Sequence, residues 1–514
     1  MFEDAGAWCV RVFSMKRVGI YVQVPFCQTR CTYCNFHTGV VAAERYGPYV
    51  EAVCGEIRGH EELYRAAGVE WGERSGEWRV ASDEKRRERE LARSSRSAQR
   101  AQRRDDLPGT SAASGYESGE SIDSEFVVDT VYIGGGTPSL LEARHLGEML
   151  GAIRETFVVE GRGERSSGKE EFGGELRVKE EGPGRRTGSG QAECGHCSVE
   201  KEKEKAPASE GGRYGVEVTL EADPETVEEE KAAGWVAAGI NRVSFGAQSF
   251  VDAELVAAGR MHRRADIYRA AAILRAAGIG NISFDLIAGL PHQTKESWRE
   301  SLEELRRLEP EHVSVYLLEI DEGSRLGKEA LGGGARYSAR ALPAEDEMAE
   351  FYEEAQRVLG VAGYHHYEIS NWGKPGYESR HNLKYWRREA YLGFGAGAHS
   401  FSGKQRWANV HDAAEYVRAM EREESPLKMA GRAGAIEQVE TIGREQALEE
   451  ELFLGLRQLD GIDVGRIERE YGVELGEKLG RLEMAGFVER CGNVVRLAGA
   501  KLSVANEVFV EMMR

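Results

Sequence analysis

A chain of 514 residues is long enough for two to four domains, and its excess of Asp and Glu over Lys and Arg gives a net charge of −19. That charge argues against broad contact with nucleic acid. No stretch of about 18 uncharged apolar residues occurs, which excludes a transmembrane helix. The opening MFEDAGAWCVRVF carries early acidic residues and no continuous apolar segment, so it does not read as a signal peptide, and a cytoplasmic location is the default expectation.

Strand-like runs rich in β-branched residues occur at 19–24 (GIYVQV), 126–134, 215–222, 241–248, 282–289 and 312–320. Between them lie amphipathic stretches at 44–68, 139–157, 225–238, 251–277 and 295–308. The last of these places Trp298, Leu302 and Leu305 on one face, with Thr294 positioned to cap it. Six β-α units in a row predict a parallel sheet or barrel, whose chemistry belongs at the carboxyl ends of its strands. Two segments, about 72–125 and 160–213, are rich in Gly, Ser, Arg, Lys and Glu and hold too few large apolar residues to offset the entropy of ordering. They read as disordered surface insertions. From about residue 445 the pattern changes to three helices, a hairpin turning at Gly492-Asn493 and a final helix, which resembles a winged-helix module. Such modules often bind DNA, but the segment is not strongly basic, so packing or partner contact is its expected role and no nucleic acid is expected as a partner.

Eight cysteines are present, and three of them crowd into Cys27-Gln-Thr-Arg-Cys31-Thr-Tyr-Cys34. Three thiolates on one short loop can each take one iron of a 4Fe–4S cluster, leaving the fourth iron open to a ligand. The loop follows a predicted strand directly, so it sits at that strand's carboxyl end. Cys9, Cys54 and Cys491 read as ordinary thiols. The pair Cys194 and Cys197, with one histidine between them, offers too few ligands for zinc.

The run GIYVQVPFCQTRCTYCNF resembles the signature of radical S-adenosylmethionine proteins, and within them the group of oxygen-independent coproporphyrinogen III oxidases and HemW-type heme chaperones. The resemblance implies an incomplete TIM-like barrel of six β-α units with a C-terminal α+β, winged-helix-like region. It also implies that Cys27, Cys31 and Cys34 hold the cluster and that the open iron binds S-adenosylmethionine for radical generation. Carried onto this sequence, the positions that contact S-adenosylmethionine in relatives are Tyr21, Tyr33, Gly135, Gly136, Thr137, Glu221, Gln248, Arg260 and Asp285. The glycines, in IGGGTP at the end of the second strand, allow a close backbone approach to a ligand.

Two features divide the group. The oxidases resemble CxxxCxxCxC, whereas here the last position is Phe36, and they carry a longer region before the cluster than the 26 residues found here. Both departures favour the chaperones. A further block, HNLKYW at 381–386, resembles the HNxxYW element linked to heme in HemW-type proteins. His381 is thereby a candidate heme ligand, since a neutral imidazole can bind heme iron. The glycine run from Gly393 to His399 lacks GxGxxG spacing and reads as a close backbone passage at the barrel mouth.

The expected organisation is a barrel over 1–330, a connecting region with the HNxxYW element over 331–440, and the winged-helix-like module over 441–514. The resemblance implies heme carried to apo-hemoproteins such as respiratory cytochromes, an electron donor for the cluster, and peripheral membrane contact through the recipients. Anaerobic coproporphyrinogen oxidation is the alternative activity. A regulator binding nucleic acid through the C-terminal module is a third.

Overall fold

A computed structural model describes residues 16–35, 38–71, 126–160, 215–421 and 434–513. The two expected insertions fall outside the described residues apart from Glu160, as do Cys9, Phe36, Cys194 and Cys197.

The described residues begin with β1 (Lys16–Val24), the cysteine loop and α1 (Tyr46–Ala67). It continues with β2 (Phe126–Gly135), α2 (Ala143–Thr156), the short β3 (Val158–Val159), β4 (Glu217–Ala222) and α3 (Glu229–Ala238). Next come β5 (Arg242–Gln248), α4 (Asp252–Ala257), α5 (Arg264–Ala277), β6 (Asn281–Ala288), α6 (Lys295–Leu308) and β7 (His312–Leu317). The strands β1, β2, β4, β5, β6 and β7 are neighbours in that order and pair in parallel throughout. The six-unit barrel expected from the sequence is therefore present.

Why these strands curl around a polar interior follows from their period of two. In β1, Val18, Ile20, Val22 and Val24 are fully buried in the apolar core. Each contributes about 1.5–3 kcal/mol by leaving water. The alternate positions Tyr21 and Gln23 face inward, joined there by Thr130 and Tyr132, Thr219 and Glu221, Arg242 and Ser244, Ser283 and Asp285, and His312 and Ser314; among these Tyr21 bonds to Gln23, Tyr132 to Glu221, Ser244 to Asp285 and Ser283 to His312.

The sheet does not end with six strands. Beyond β7 lie α7 (Arg325–Leu331), α8 (Glu345–Val361), β8 (His365–Glu368) and β9 (Asn371–Gly373), and β9 pairs antiparallel to β7. The chain then passes through α9 (Arg380–Trp386) to β10 (Tyr391–Phe394), which lies parallel to β1 at the opposite edge. The antiparallel strands β11 (His399–Phe401), β12 (Gln405–Asn409) and, after α10 (Ala413–Glu421), β13 (Ile436–Thr441) extend that edge. The segment read as connecting thus supplies strands to both edges of the barrel sheet. Its short polar-interrupted runs hid this.

After α11 (Arg444–Arg457) come β14 (Ile462–Asp463), α12 (Val464–Tyr471), α13 (Gly476–Met484), β15 (Val488–Cys491), β16 (Val494–Leu497) and α14 (Ala505–Met513). The three strands form a separate sheet in the order β14-β16-β15. The hairpin turns at Gly492, in the left-handed region, as expected. Cys54 is buried in α1 and not in a disulfide. Among the described residues no helix is long and apolar enough to cross a membrane.

Candidate cofactor cavity at the strand ends

The cysteine loop leaves β1 and is pinned before it meets any ligand. Gly39 N–H donates to Pro25 O at 2.9 Å, and Cys27 N–H donates to Gly39 O at 3.0 Å, closing the loop on itself. Thr32 N–H donates to Ala258 O at 3.0 Å, and Leu326 N–H to Thr32 O at 2.8 Å. The stretch 251–277, predicted as one helix, is broken into α4 and α5 at Gly259, whose φ of +77° suits glycine. The break brings the chain against Thr32 and delivers Arg260 to the cysteines.

Cys27, Cys31 and Cys34 line a cavity of about 440 Å³ at the carboxyl ends of the strands. None of the three forms a disulfide. The Arg260 guanidinium donates to Cys31 Sγ at 3.4 Å and to Gly246 O at 2.9 Å, and pairs with Asp223. Burial pushes the Cys27 thiol above its ordinary value. Tyr33 also lines the cavity, and burial, reinforced by the neighbouring Cys31, holds its phenol well above the usual range.

The IGGGTP turn forms the second wall. Gly136 N–H donates to Val24 O at 2.8 Å and Thr137 N–H to Phe26 O at 2.6 Å, locking the turn against the start of the cysteine loop. A Cβ on Gly136 would stand 2.3 Å from Phe26 O, so the loop could not keep its path. Gly135 has a φ of +113° and is packed against the Gln23 side chain. Its need for glycine therefore comes from backbone conformation and from Gln23 as much as from any ligand.

Glu221 and Asp285 close the floor of the cavity. Glu221 accepts from Tyr132 Oη at 2.8 Å and from Gly135 N–H at 2.8 Å. Burial raises its carboxyl to about 7, against the opposing pull of those bonds. Burial likewise raises Asp285 to about 6. Gln248, at the end of β5, adopts a φ of +66°, which is uncommon for a residue with a side chain, and its Oε1 is buried without a hydrogen-bond partner.

Of the positions carried over from the resemblance, Tyr33, Gly135, Gly136, Thr137, Glu221, Gln248, Arg260 and Asp285 converge with the cysteines on this cavity. Tyr21 and His381 do not. Tyr21 lies deeper in the barrel, stacked on Tyr132 at 6.0 Å between ring centroids, and donates to Gln23 Oε1 at 2.6 Å. It reaches the cavity only through Gln23 and Gly135. His381 sits on α9 near the amino ends of the strands, 1% exposed. Its Nδ1 is 3.0 Å from Thr130 Oγ1, its Nε2 is 2.9 Å from Tyr385 Oη, and its ring stacks on Tyr132. Burial and the nearby cations Lys384 and Arg242 lower its pKa to about 3. The imidazole is neutral, but both nitrogens are engaged inside the barrel, so in this arrangement neither is offered to a heme iron.

The sequence reading missed Asp223, which pairs with Arg260 and accepts from Thr137 Oγ1 at 3.1 Å. Its signal was present: an Asp-Pro step directly after a strand marks a turn at the strand's carboxyl end.

Residues 120–305 match the Radical SAM superfamily, and residues 442–498 match the HemN C-terminal domain. The heme chaperone HemW of Bacillus subtilis (strain 168) is 35% identical over 297 residues, covering 57% of this chain and 75% of that protein. HemW of Lactococcus lactis subsp. lactis (strain IL1403) is 31% identical over 388 residues, covering 75% of this chain and 84% of that protein. The chain belongs to the HemW family of heme chaperones. HemW membership agrees with Phe36 in place of a fourth cysteine. A solved structure of coproporphyrinogen III oxidase (HemN) from Escherichia coli superposes with a TM-score of 0.62, covering 98% of this chain and 90% of that one, at 16% identity. That likeness shows the radical SAM fold, with its C-terminal α+β region, while the sequence relationship lies with the HemW branch and not with the oxidase.

Proposed function

We propose that this protein is a heme carrier: it holds a 4Fe–4S cluster on Cys27, Cys31 and Cys34, binds S-adenosylmethionine in the adjoining cavity, and hands heme to apo-hemoproteins such as respiratory cytochromes. The observation that supports the cofactor reading most directly is the cavity itself. It combines three half-buried thiols with buried carboxylates and one unpartnered amide oxygen.

The residues fit both groups. Among the described residues no three His, Cys, Asp or Glu side chains converge as a single metal ion needs. Thiols distributed around a loop suit a cluster in which each sulfur takes its own iron. When bound, the cluster and S-adenosylmethionine would supply one-electron chemistry. The chain's own contribution is orientation. Glu221, with Asp285 below it, offers negative charge to an ammonium or to hydroxyl groups. Gln248 Oε1 offers an acceptor, and Gly135 to Thr137 let backbone approach closely. Arg260 holds Cys31 and Asp223 in register. The proposed division of labour assigns this chemistry to the barrel within 1–330, support of its edges to 331–440, and partner contact to 441–514. An electron donor, peripheral membrane contact through recipients and a cytoplasmic setting belong to the same proposal.

Anaerobically purified protein with its iron and sulfide quantified, loaded with hemin and mixed with an apo-cytochrome, tests the reading. Transfer of heme to the recipient is expected, with no protoporphyrinogen formed from coproporphyrinogen III, S-adenosylmethionine and a reductant. Protoporphyrinogen formation without heme transfer would overturn it.

A further inference from the structure

A second and larger cavity, about 920 Å³, lies behind the cysteine loop. It shares Arg30, Asn35 and Thr38 with the first, so the two adjoin. Its volume falls at the upper end of the range for small-molecule sites. One wall is Pro25 and Phe26, the residues that lead into Cys27. The other is Ala413, Ala414 and Val417 on α10, and Val41 and Pro48 complete an apolar interior.

The rim differs from the rest of this acidic protein. Arg30, Arg45 and Arg418 line it. Among the described residues none of these three guanidinium groups has an ion-pair or hydrogen-bond partner, although Arg30 contributes its backbone carbonyl to Arg325. Several other surface arginines around the barrel are paired, as Arg58 is with Glu155, Arg264 with Glu300 and Arg380 with Glu160. Two acidic residues also face this cavity. Asp412 is occupied in accepting from Glu415 N–H at 2.8 Å, and Glu44 adjoins Arg45. An apolar slot edged by three unpaired guanidiniums fits a flat apolar ligand that carries carboxylates at its margin, because guanidinium and carboxylate match in fork geometry. His411 faces the same cavity and is exposed.

We propose that this cavity is the heme site, with Arg45 and Arg418 taking the two propionates and Arg30 adding positive charge. The proposal rests on the heme-carrier reading given above and specifies where the heme lies. It puts heme against the back of the cysteine loop, far from His381 in the barrel floor.

The test uses full-length, cluster-loaded protein titrated with hemin, with metal-free protoporphyrin IX, and with the dimethyl ester of protoporphyrin, which lacks free carboxylates. Wild type is expected to bind hemin. The double variant R45E/R418E is expected to weaken hemin and protoporphyrin IX roughly tenfold or more, the size of one or two charge-assisted contacts. It should leave the dimethyl ester, cluster content and S-adenosylmethionine affinity at wild-type values. Arg45→Lys with Arg418→Lys, which retains the charge, should recover most of the affinity. These side chains are exposed, and an unchanged melting temperature verifies folding. Hemin binding that survives R45E/R418E, or a hemin spectrum lost only in His381→Ala, would overturn the site while leaving the carrier reading standing. A wild-type protein that binds no hemin would overturn both.

Discussion

The two ends of the barrel are built from the same strands and differ in what their buried polar groups are left to do. At the amino ends, His381 has both ring nitrogens engaged, and Lys384 pairs with Asp129 at 2.9 Å and Glu389 at 3.2 Å. At the carboxyl ends, Gln248 Oε1 lacks a partner, two carboxyls are held up by burial, and three thiols line the cavity. A buried polar group left unmatched costs free energy. A fold tolerates that cost where a ligand supplies the missing partner, so an unmatched group that also lines a cavity is a guide to function. The amino ends hold unmatched atoms as well, Thr219 Oγ1 and Arg242 Nε, so it is the cavity beside Gln248 that marks the upper end as a site.

The largest expected effect tests the upper end. Cys31→Ala removes one sulfur ligand and should abolish most of the cluster absorption of anaerobically reconstituted protein, while Cys54→Ala, in the packed side of α1, should leave it unchanged. Bleaching by the second and not the first would invalidate the ligand assignment. At the lower end, His381→Ala should cost about 2–3 kcal/mol of stability, from the lost packing and the stranded Thr130 and Tyr385 hydroxyls. It should be read as a lower denaturation midpoint with iron content and S-adenosylmethionine affinity intact. Loss of the cluster in that variant would erase the distinction between the ends.

A smaller effect follows from protonation. Glu221 titrates near 7 in the folded protein, against an ordinary 4.5. Because the folded value is the higher one, the folded chain binds this proton more tightly. The stability that the proton confers is present below about pH 4.5 and is lost as pH rises through 7. A cationic ligand reverses the balance. Affinity for S-adenosylmethionine, measured by calorimetry, should rise roughly fivefold from pH 6 to pH 8 as the carboxylate forms, and Glu221→Gln should flatten the rise. The smallest effect belongs to neither end. Thr294 accepts from Ser297 N–H at 3.2 Å in a reciprocal cap on α6. Thr294→Ala should therefore cost about 1 kcal/mol in chemical denaturation, with both ends unaltered.

How much of this could be read from the sequence depended on whether the signal was local. The parallel strands announced themselves through runs such as GIYVQV, and the cysteine loop through its spacing. The alternate polar residues in those runs (Tyr21 and Gln23, Glu221, Ser244, Asp285) also carried the lining of the barrel, since a strand buried on both faces needs no polar residue at every second place. Three things were not legible. The break at Gly259 that turns Arg260 onto Cys31 depends on contact with Thr32, more than 200 residues away. The addition of β10 to the β1 edge follows a crossing of the whole sheet. His381 sat in a motif whose resemblance pointed to heme, and only its surroundings reveal an engaged ring. Motif resemblance located the histidine on the chain but carried no information about which end of the barrel it entered.

The points where the two long polar segments join the barrel have a practical consequence. Val216 N–H donates to Glu160 O at 3.3 Å, so the chain departs and returns at touching residues. Trp71 stacks on Phe126 with centroids 5.1 Å apart across the other junction. Both junctions lie at the amino ends of strands, on the side away from the cysteines. Ends already in contact can be rejoined by a few residues with little loop-closure penalty. Each junction is therefore a socket: a fluorescent domain or an affinity tag spliced there would report on the protein without crossing the path by which iron, S-adenosylmethionine or heme reaches the opposite side.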